Sequence, residues 1–207
     1  MKNKTLILGL GTGRCGTSFL FDLINAQEGI FCTNERINWG WYYNGEITKK
    51  LSPLKEWEES GKNKICDVGS YTLPHVRRLA EIYPEVRLIF IRRNRQATIT
   101  SWLNWTNVFH NYWVPHKLEI WKDDPYDFLF PKFISLERFP KSIAIGSYYD
   151  LYYEECSRLA LSYQHIWIET ESLDEIKTKE KILDFCGFEK NKWNLDVECR
   201  RNAGNYN

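Results

Sequence analysis

Thr5-Leu6-Ile7-Leu8-Gly9-Leu10-Gly11-Thr12-Gly13-Arg14-Cys15-Gly16-Thr17-Ser18-Phe19-Leu20 decides the fold. A short apolar run breaks into a glycine-rich turn. The turn ends in hydroxyl residues, and an apolar helical pattern follows. That order is the build of a strand, a phosphate-cradling loop and a helix N-terminus. The first N–H groups of a helix have no partner inside it, and the positive end of the dipole lies there, so an anion binds readily. Gly11 and Gly16 set a Gly-x-x-x-x-Gly frame. Nucleoside triphosphatases place a lysine after the second glycine; Thr17 stands there in this chain. The cation lies inside the loop instead, as Arg14. The loop therefore suits a phosphate-like group other than the γ-phosphate of magnesium-bound ATP.

Outward from this loop, strands alternate with helices. Strands are expected over 5–10, 30–32, 64–68, 86–91 and 165–168. Helices are expected over 17–26, over 54–60 behind Ser52-Pro53, over 73–82 stopping before Pro84, over 96–103, and within 143–163. A last helix over 180–186 is closed by Gly187, a good C-cap. Residues 34–45 read as a polar-aromatic loop. This alternation predicts an α/β fold: three layers, a mainly parallel sheet with helices on both faces, of the P-loop nucleotide-binding type. Ligands in such sheets sit at the carboxyl ends of the strands.

The 207 residues fit a single domain spanning 1–207. A chain of this length buries roughly 70% of its unfolded surface and needs no staple to fold. The net charge of +1 gives no electrostatic case for nucleic acid or an anionic membrane. Six cysteines are scattered without any Cys-x-x-Cys pair, which reads as free, mostly buried thiols. The first apolar run is too short for a signal peptide, and no stretch is long enough to span a bilayer. A soluble, cytoplasmic protein is the expectation. Residues 105–140 interrupt the pattern with many aromatics and prolines. They read as an insertion that serves either as an acceptor-binding lid or as a packing or dimer layer.

A second basic segment leaves the strand at 86–91: Ile91-Arg92-Arg93-Asn94-Arg95-Gln96, continuing to Ser101. Arg93 ends the strand, and Ser101 follows eight residues later, about two turns into the next helix. A guanidinium and a hydroxyl so placed can converge on a second phosphate. The plain alternative is surface charge.

Taken together, the two segments resemble sulfotransferases that use 3′-phosphoadenosine-5′-phosphosulfate (PAPS), in particular the tyrosylprotein, carbohydrate and bacterial ones. Gly13-Arg14-Cys15-Gly16-Thr17-Ser18-Phe19-Leu20 is similar to their 5′-phosphosulfate loop. Arg93-Asn94 through Ser101 is similar to their 3′-phosphate motif, Arg-Asn-Pro-x-x-x-x-x-Ser, with Arg95 in place of the proline. Pro84-Glu85-Val86-Arg87, Trp167 to Leu173 and Lys181 to Phe188 resemble further stretches of the family. The tail from Arg200-Arg201 is weakly similar to its C-terminal Arg-Lys-Gly segment.

The resemblance implies that Arg14, Cys15, Gly16, Thr17 and Ser18 hold the 5′-phosphosulfate. It implies that Arg93, Ser101 and Arg201 serve the 3′-phosphate. It offers Phe19 as an adenine-stacking ring; the other reading of Phe19 is a core residue. The donor would leave as adenosine 3′,5′-bisphosphate, with no metal required. The acceptor would be a small molecule, a carbohydrate or a tyrosine-containing chain.

Arg14 is expected at the departing phosphate and the sulfuryl oxygens. Glu35, in Thr33-Asn34-Glu35-Arg36, matches the acidic base position of the tyrosylprotein enzymes; His75, His110 and His116 are alternatives. Many relatives carry a lysine near the segment matched by Asp67-Val68-Gly69-Ser70. Here no lysine stands there, so the transition-state cation is Arg14 alone, Lys64 or a group elsewhere. Two other readings remain: a nucleotide or small-molecule kinase on the same loop, and a catalytically silent module that binds the spent nucleotide.

Overall fold

The structure, a computed structural model, describes residues 4–34, 52–108 and 140–197. Five strands form one sheet: β1 (Thr5–Leu10), β2 (Ile30–Asn34), β3 (Lys64–Val68), β4 (Glu85–Arg92) and β5 (Gln164–Glu169). Their order is β2-β3-β1-β4-β5, and every pairing is parallel. Among the described residues six α-helices accompany them: α1 (Thr17–Asn25), α2 (Ser52–Glu59), α3 (Val76–Ile82), α4 (Arg95–Val108), α5 (Lys141–Ala160) and α6 (Ile176–Phe185).

The layers follow from the strand order. Only the β1-to-β2 connection runs toward the β2 edge; the later ones run the other way. Right-handed crossovers therefore place α1 on one face, and α2, α3 and α5 on the opposite one. Alternation along the strands serves both faces. Leu6, Leu8 and Leu10 of β1 and Leu88 and Phe90 of β4 pack with Trp57 of α2, Val76 and Leu79 of α3, and Tyr152 of α5. Ile7 of β1 and Ile89 and Ile91 of β4 pack with Leu20 and Leu23 of α1 and with Ile182 and Leu183 of α6. The predicted three-layer α/β fold is the one observed.

Several element ends differ from expectation for identifiable reasons. The segment from Leu73 opens as a tight 3₁₀ turn over Ser70–His75, and α3 begins only at Val76. Pro74 has no N–H to give an α-helical ladder. Helix α4 runs to Val108, so residues 105–108 belong to it rather than to the insertion. Its start is set by Asn94, whose Oδ1 accepts from the Ala97 N–H at 3.1 Å, an N-cap bond. Helix α6 starts earlier than expected, at Ile176. Its end at Gly187 is as read: φ is +73°, with Gly187 N–H bonded to Asp184 O and Phe188 N–H to Leu183 O, a Schellman closure.

The described cysteines are free thiols. Burial pushes the thiols of Cys66, Cys156 and Cys186 above their ordinary range, which keeps them unreactive. No described helix is long and apolar enough to cross a membrane.

Candidate active site

Strand β1 and strand β3 lie side by side, and their onward connections leave in opposite directions. A crevice opens at the carboxyl ends of strands at such a switch point. The glycine-rich loop, residues 11–16, leaves β1 there. Gly13, Arg14 and Gly16 have φ of +75°, +57° and +97°. Arg14 is the only non-glycine among the described residues with positive φ, a conformation that costs an L-residue roughly 1–2 kcal/mol. Such a conformation persists only where surrounding contacts over-determine it.

Those contacts come from three other elements. The Thr12 carbonyl accepts from the Tyr148 hydroxyl of α5 at 3.1 Å. The Arg14 carbonyl accepts from Arg93 Nη1 at 3.1 Å. The Cys15 carbonyl accepts from the Thr170 hydroxyl, just beyond β5. All described peptide bonds are trans, so each N–H points opposite to the carbonyl of its own peptide unit. Holding the carbonyls of 12, 14 and 15 outward turns the N–H groups of Gly13, Cys15 and Gly16 away from those partners. Helix α1 follows with no side-chain cap bond and no acidic residue in its first turn. The positive dipole end of α1 therefore meets no acidic side chain of its own first turn, an arrangement that suits an anion.

Helix α4 closes one side of the loop. Arg14 Nε donates to Ser101 Oγ at 3.2 Å, and the guanidinium carbon lies 6.0 Å from the Trp105 ring centroid. Trp102 leaves no room for a side chain at position 13: a Cβ there would meet its ring at 2.9 Å. Trp102 and Trp105 pack edge to face, 5.4 Å between centroids.

The three neighbouring arginines divide by partner. Arg92 pairs with Glu169 at 2.7 Å and packs against the Trp167 ring. Arg95 makes two 2.8 Å bonds to the Asp150 carboxylate. These carboxylates raise the pKa of both guanidinium groups. Arg93 alone turns inward to the loop. Surface charge is thus the role of Arg92 and Arg95, and Arg93 joins the site.

The sequence-expected residues therefore separate. Arg14, Cys15, Gly16, Thr17, Ser18, Arg93 and Ser101 lie at one rim, with Arg14 bonded to both Arg93 and Ser101. Cys15 is fully buried and offers only its backbone. Phe19 is a correction: its side chain is 4% exposed, packed in the α1–α6 core with the Lys179 ammonium 5.7 Å from its ring. The helical period turns it inward, so no face is open to adenine. Lys64 is a second correction. It starts β3, at the amino edge of the sheet, and its ammonium faces Phe188; it cannot serve the carboxyl rim. His75 is buried in the turn before α3. Glu35, Arg201, His110, His116 and residues 109–139 of the insertion lie outside the described residues. Thr170 and the tyrosines of α5 were not anticipated, because their partners lie between 56 and 155 residues away in sequence.

At Gly16 a Cβ would meet Leu173 Cδ1 at 2.5 Å. A Gly16→Ala exchange adds this clash to left-handed strain of roughly 1–2 kcal/mol. Melting should fall by about 4–8 °C on the scale for 150–250 residues. An unchanged melting temperature would show that the loop relaxes without cost.

No family model matches the chain, and no curated protein matches it in sequence. Among solved structures, the chain is similar to a sulfotransferase from Alicyclobacillus acidocaldarius, with a TM-score of 0.64 and 12% identity, over 96% of this chain and 86% of that one. The class so defined is one of fold: a parallel α/β sheet of sulfotransferase-like architecture.

Proposed function

We propose that this chain is a sulfotransferase that moves a sulfuryl group from PAPS to a hydroxyl or amine of an acceptor. The observation that carries the reading is the contact between two separate oxyanion-suited segments: Arg93 and Ser101 each bond to Arg14 of the glycine-rich loop. One ligand with two anionic ends suits such a rim. The loop N–H groups, Thr17 and Ser18 take the 5′-phosphosulfate; Arg93, Ser101 and Arg201 take the 3′-phosphate.

The donor supplies an activated sulfuryl group. In transfer, the bond from sulfur to the 5′-phosphate oxygen breaks as the acceptor oxygen bonds to sulfur. The acceptor proton passes to Glu35 as general base. Arg14 offsets the charge gathering on the departing phosphate. Positioning and charge stabilisation carry such reactions, as in phosphoryl transfer. The acceptor is proposed as a small molecule, carbohydrate or tyrosine-containing chain.

Thermal unfolding with PAPS, adenosine 3′,5′-bisphosphate and Mg-ATP tests the donor. A ligand at a hundred times its dissociation constant adds about 2.7 kcal/mol, a rise of about 5–11 °C. The adenosine bisphosphate and PAPS should both stabilise. A response to Mg-ATP alone would sink the reading and favour a kinase. Glu35→Gln should keep the PAPS response and lose turnover; full turnover would remove Glu35 as the base.

The silent-module reading rests on β3. Its carboxyl end presents buried Val68, with no lysine through the following turn to His75. PAPS binding without turnover on any acceptor would favour it.

A further inference from the structure

Helix α5 carries tyrosines at 148, 149, 152 and 153, an i, i+1, i+4, i+5 pattern that lies on one helical face. All four are buried. Each hydroxyl donates to a backbone carbonyl at the carboxyl edge of the sheet. Tyr148 reaches Thr12 O at 3.1 Å, Tyr149 reaches Arg93 O at 2.7 Å, Tyr152 reaches Ser70 O at 3.3 Å and Tyr153 reaches Ile91 O at 2.6 Å. The three central strands, β1, β3 and β4, are thus each gripped where they or their following loops leave the ladder. Carbonyls at such exits lose their strand partners and must find others when buried. Phenylalanine would fill the same space, but it would supply no donor.

Burial raises the pKa of Tyr149, Tyr152 and Tyr153, so these hydroxyls stay protonated and able to donate. Ring contacts of 4.6 Å for Tyr149–Tyr153 and 5.7 Å for Tyr148–Tyr152 hold the rings against one another. One rigid helix therefore sets the backbone of both anion-binding segments relative to each other. Arg93 is fixed twice, through its carbonyl by Tyr149 and through its guanidinium on Arg14 O.

We infer that Tyr148 and Tyr149 are positioning residues that set the spacing of the two phosphate-binding segments, Tyr148 for the glycine-rich loop and Tyr149 for Arg93. This rests on the donor reading proposed above. A merely structural tyrosine would change melting without changing which phosphate is recognised.

Calorimetric titration with adenosine 3′,5′-bisphosphate and with 5′-AMP separates the cases, because only the first carries a 3′-phosphate. Tyr149→Phe leaves the Arg93 carbonyl without its donor. It should weaken the bisphosphate about tenfold and leave 5′-AMP unchanged, in line with the cost of an orphaned buried acceptor. Tyr148→Phe should weaken both ligands by a similar factor, since both share the 5′-phosphate. An unaltered affinity ratio in Tyr149→Phe overturns the assignment, as does a Tyr148→Phe protein that binds both like wild type. If one variant does not fold, the other carries the test alone. Wild-type protein that binds both nucleotides equally overturns the donor reading itself, a distinct outcome.

Discussion

Replacing Arg14 by alanine should lower turnover by about 100- to 1,000-fold, the range seen when a donor aimed at developing charge is removed. The loss should fall on kcat more than on affinity. On the proposed reading, the loop N–H groups and Thr17 share the hold on the donor in the ground state, and Arg14 is assigned to the new charge that gathers on the departing oxygen in transfer. The geometry adds a second signature. Arg14 sits at φ +57°, where glycine carries no penalty. Arg14→Gly should therefore melt at or above the wild-type temperature while losing the same turnover. Arg14→Lys keeps the charge but loses the planar fork and the Nε bond to Ser101, and should recover only part of the rate. Steady-state kinetics with PAPS at saturation reads all three. A full rate in Arg14→Ala would place the charge stabilisation elsewhere.

Arg93→Ala should weaken adenosine 3′,5′-bisphosphate by roughly 10- to 100-fold, the value of charge-assisted hydrogen bonds to a phosphate, about 1.5–3 kcal/mol. Its neighbours make the natural controls. Arg95 is spent on Asp150, and both side chains of that pair are about half exposed, 49% and 57%. Exposed pairs contribute about 0–1 kcal/mol. Arg95→Ala should therefore leave nucleotide affinity unchanged and cost little stability. Equal affinities for wild type and Arg93→Ala would dissolve the two-anion rim on which the functional reading stands. Because Arg93 also holds the Arg14 carbonyl, Arg93→Ala should slow turnover as well, through a loosened loop.

Much of this was legible in the chain itself, where the signal was local. The strand–loop–helix at 5–20 is set by a run of apolar residues, glycines at two of the three positions of positive φ and the period of α1. The strands at 64–68 and 86–91 show in their composition, and Gly187 announces the end of α6. Signals that depend on distant partners were silent. Composition alone does not separate Arg92, Arg93 and Arg95; the resemblance picks Arg93, and Glu169 and Asp150 show where the other two are spent. Phe19 matches a ligand-facing position in the resemblance, but the period of α1 turns it into the α6 interface. The Asn94 cap of α4 and the run of that helix to Val108 were not read from the sequence.

The sequence by itself determined the layered parallel fold and the presence of two anion-suited segments, because periodicity, glycine placement and strand composition act within a few residues. Only the tertiary structure decided that Arg93 and Ser101 bond to Arg14, that Arg92 and Arg95 are spent on carboxylates, and that four tyrosines of one helix grip the strand ends. Those facts are contacts across many tens of residues, and burial of unpaired carbonyls and charges, which no local pattern records, selects them.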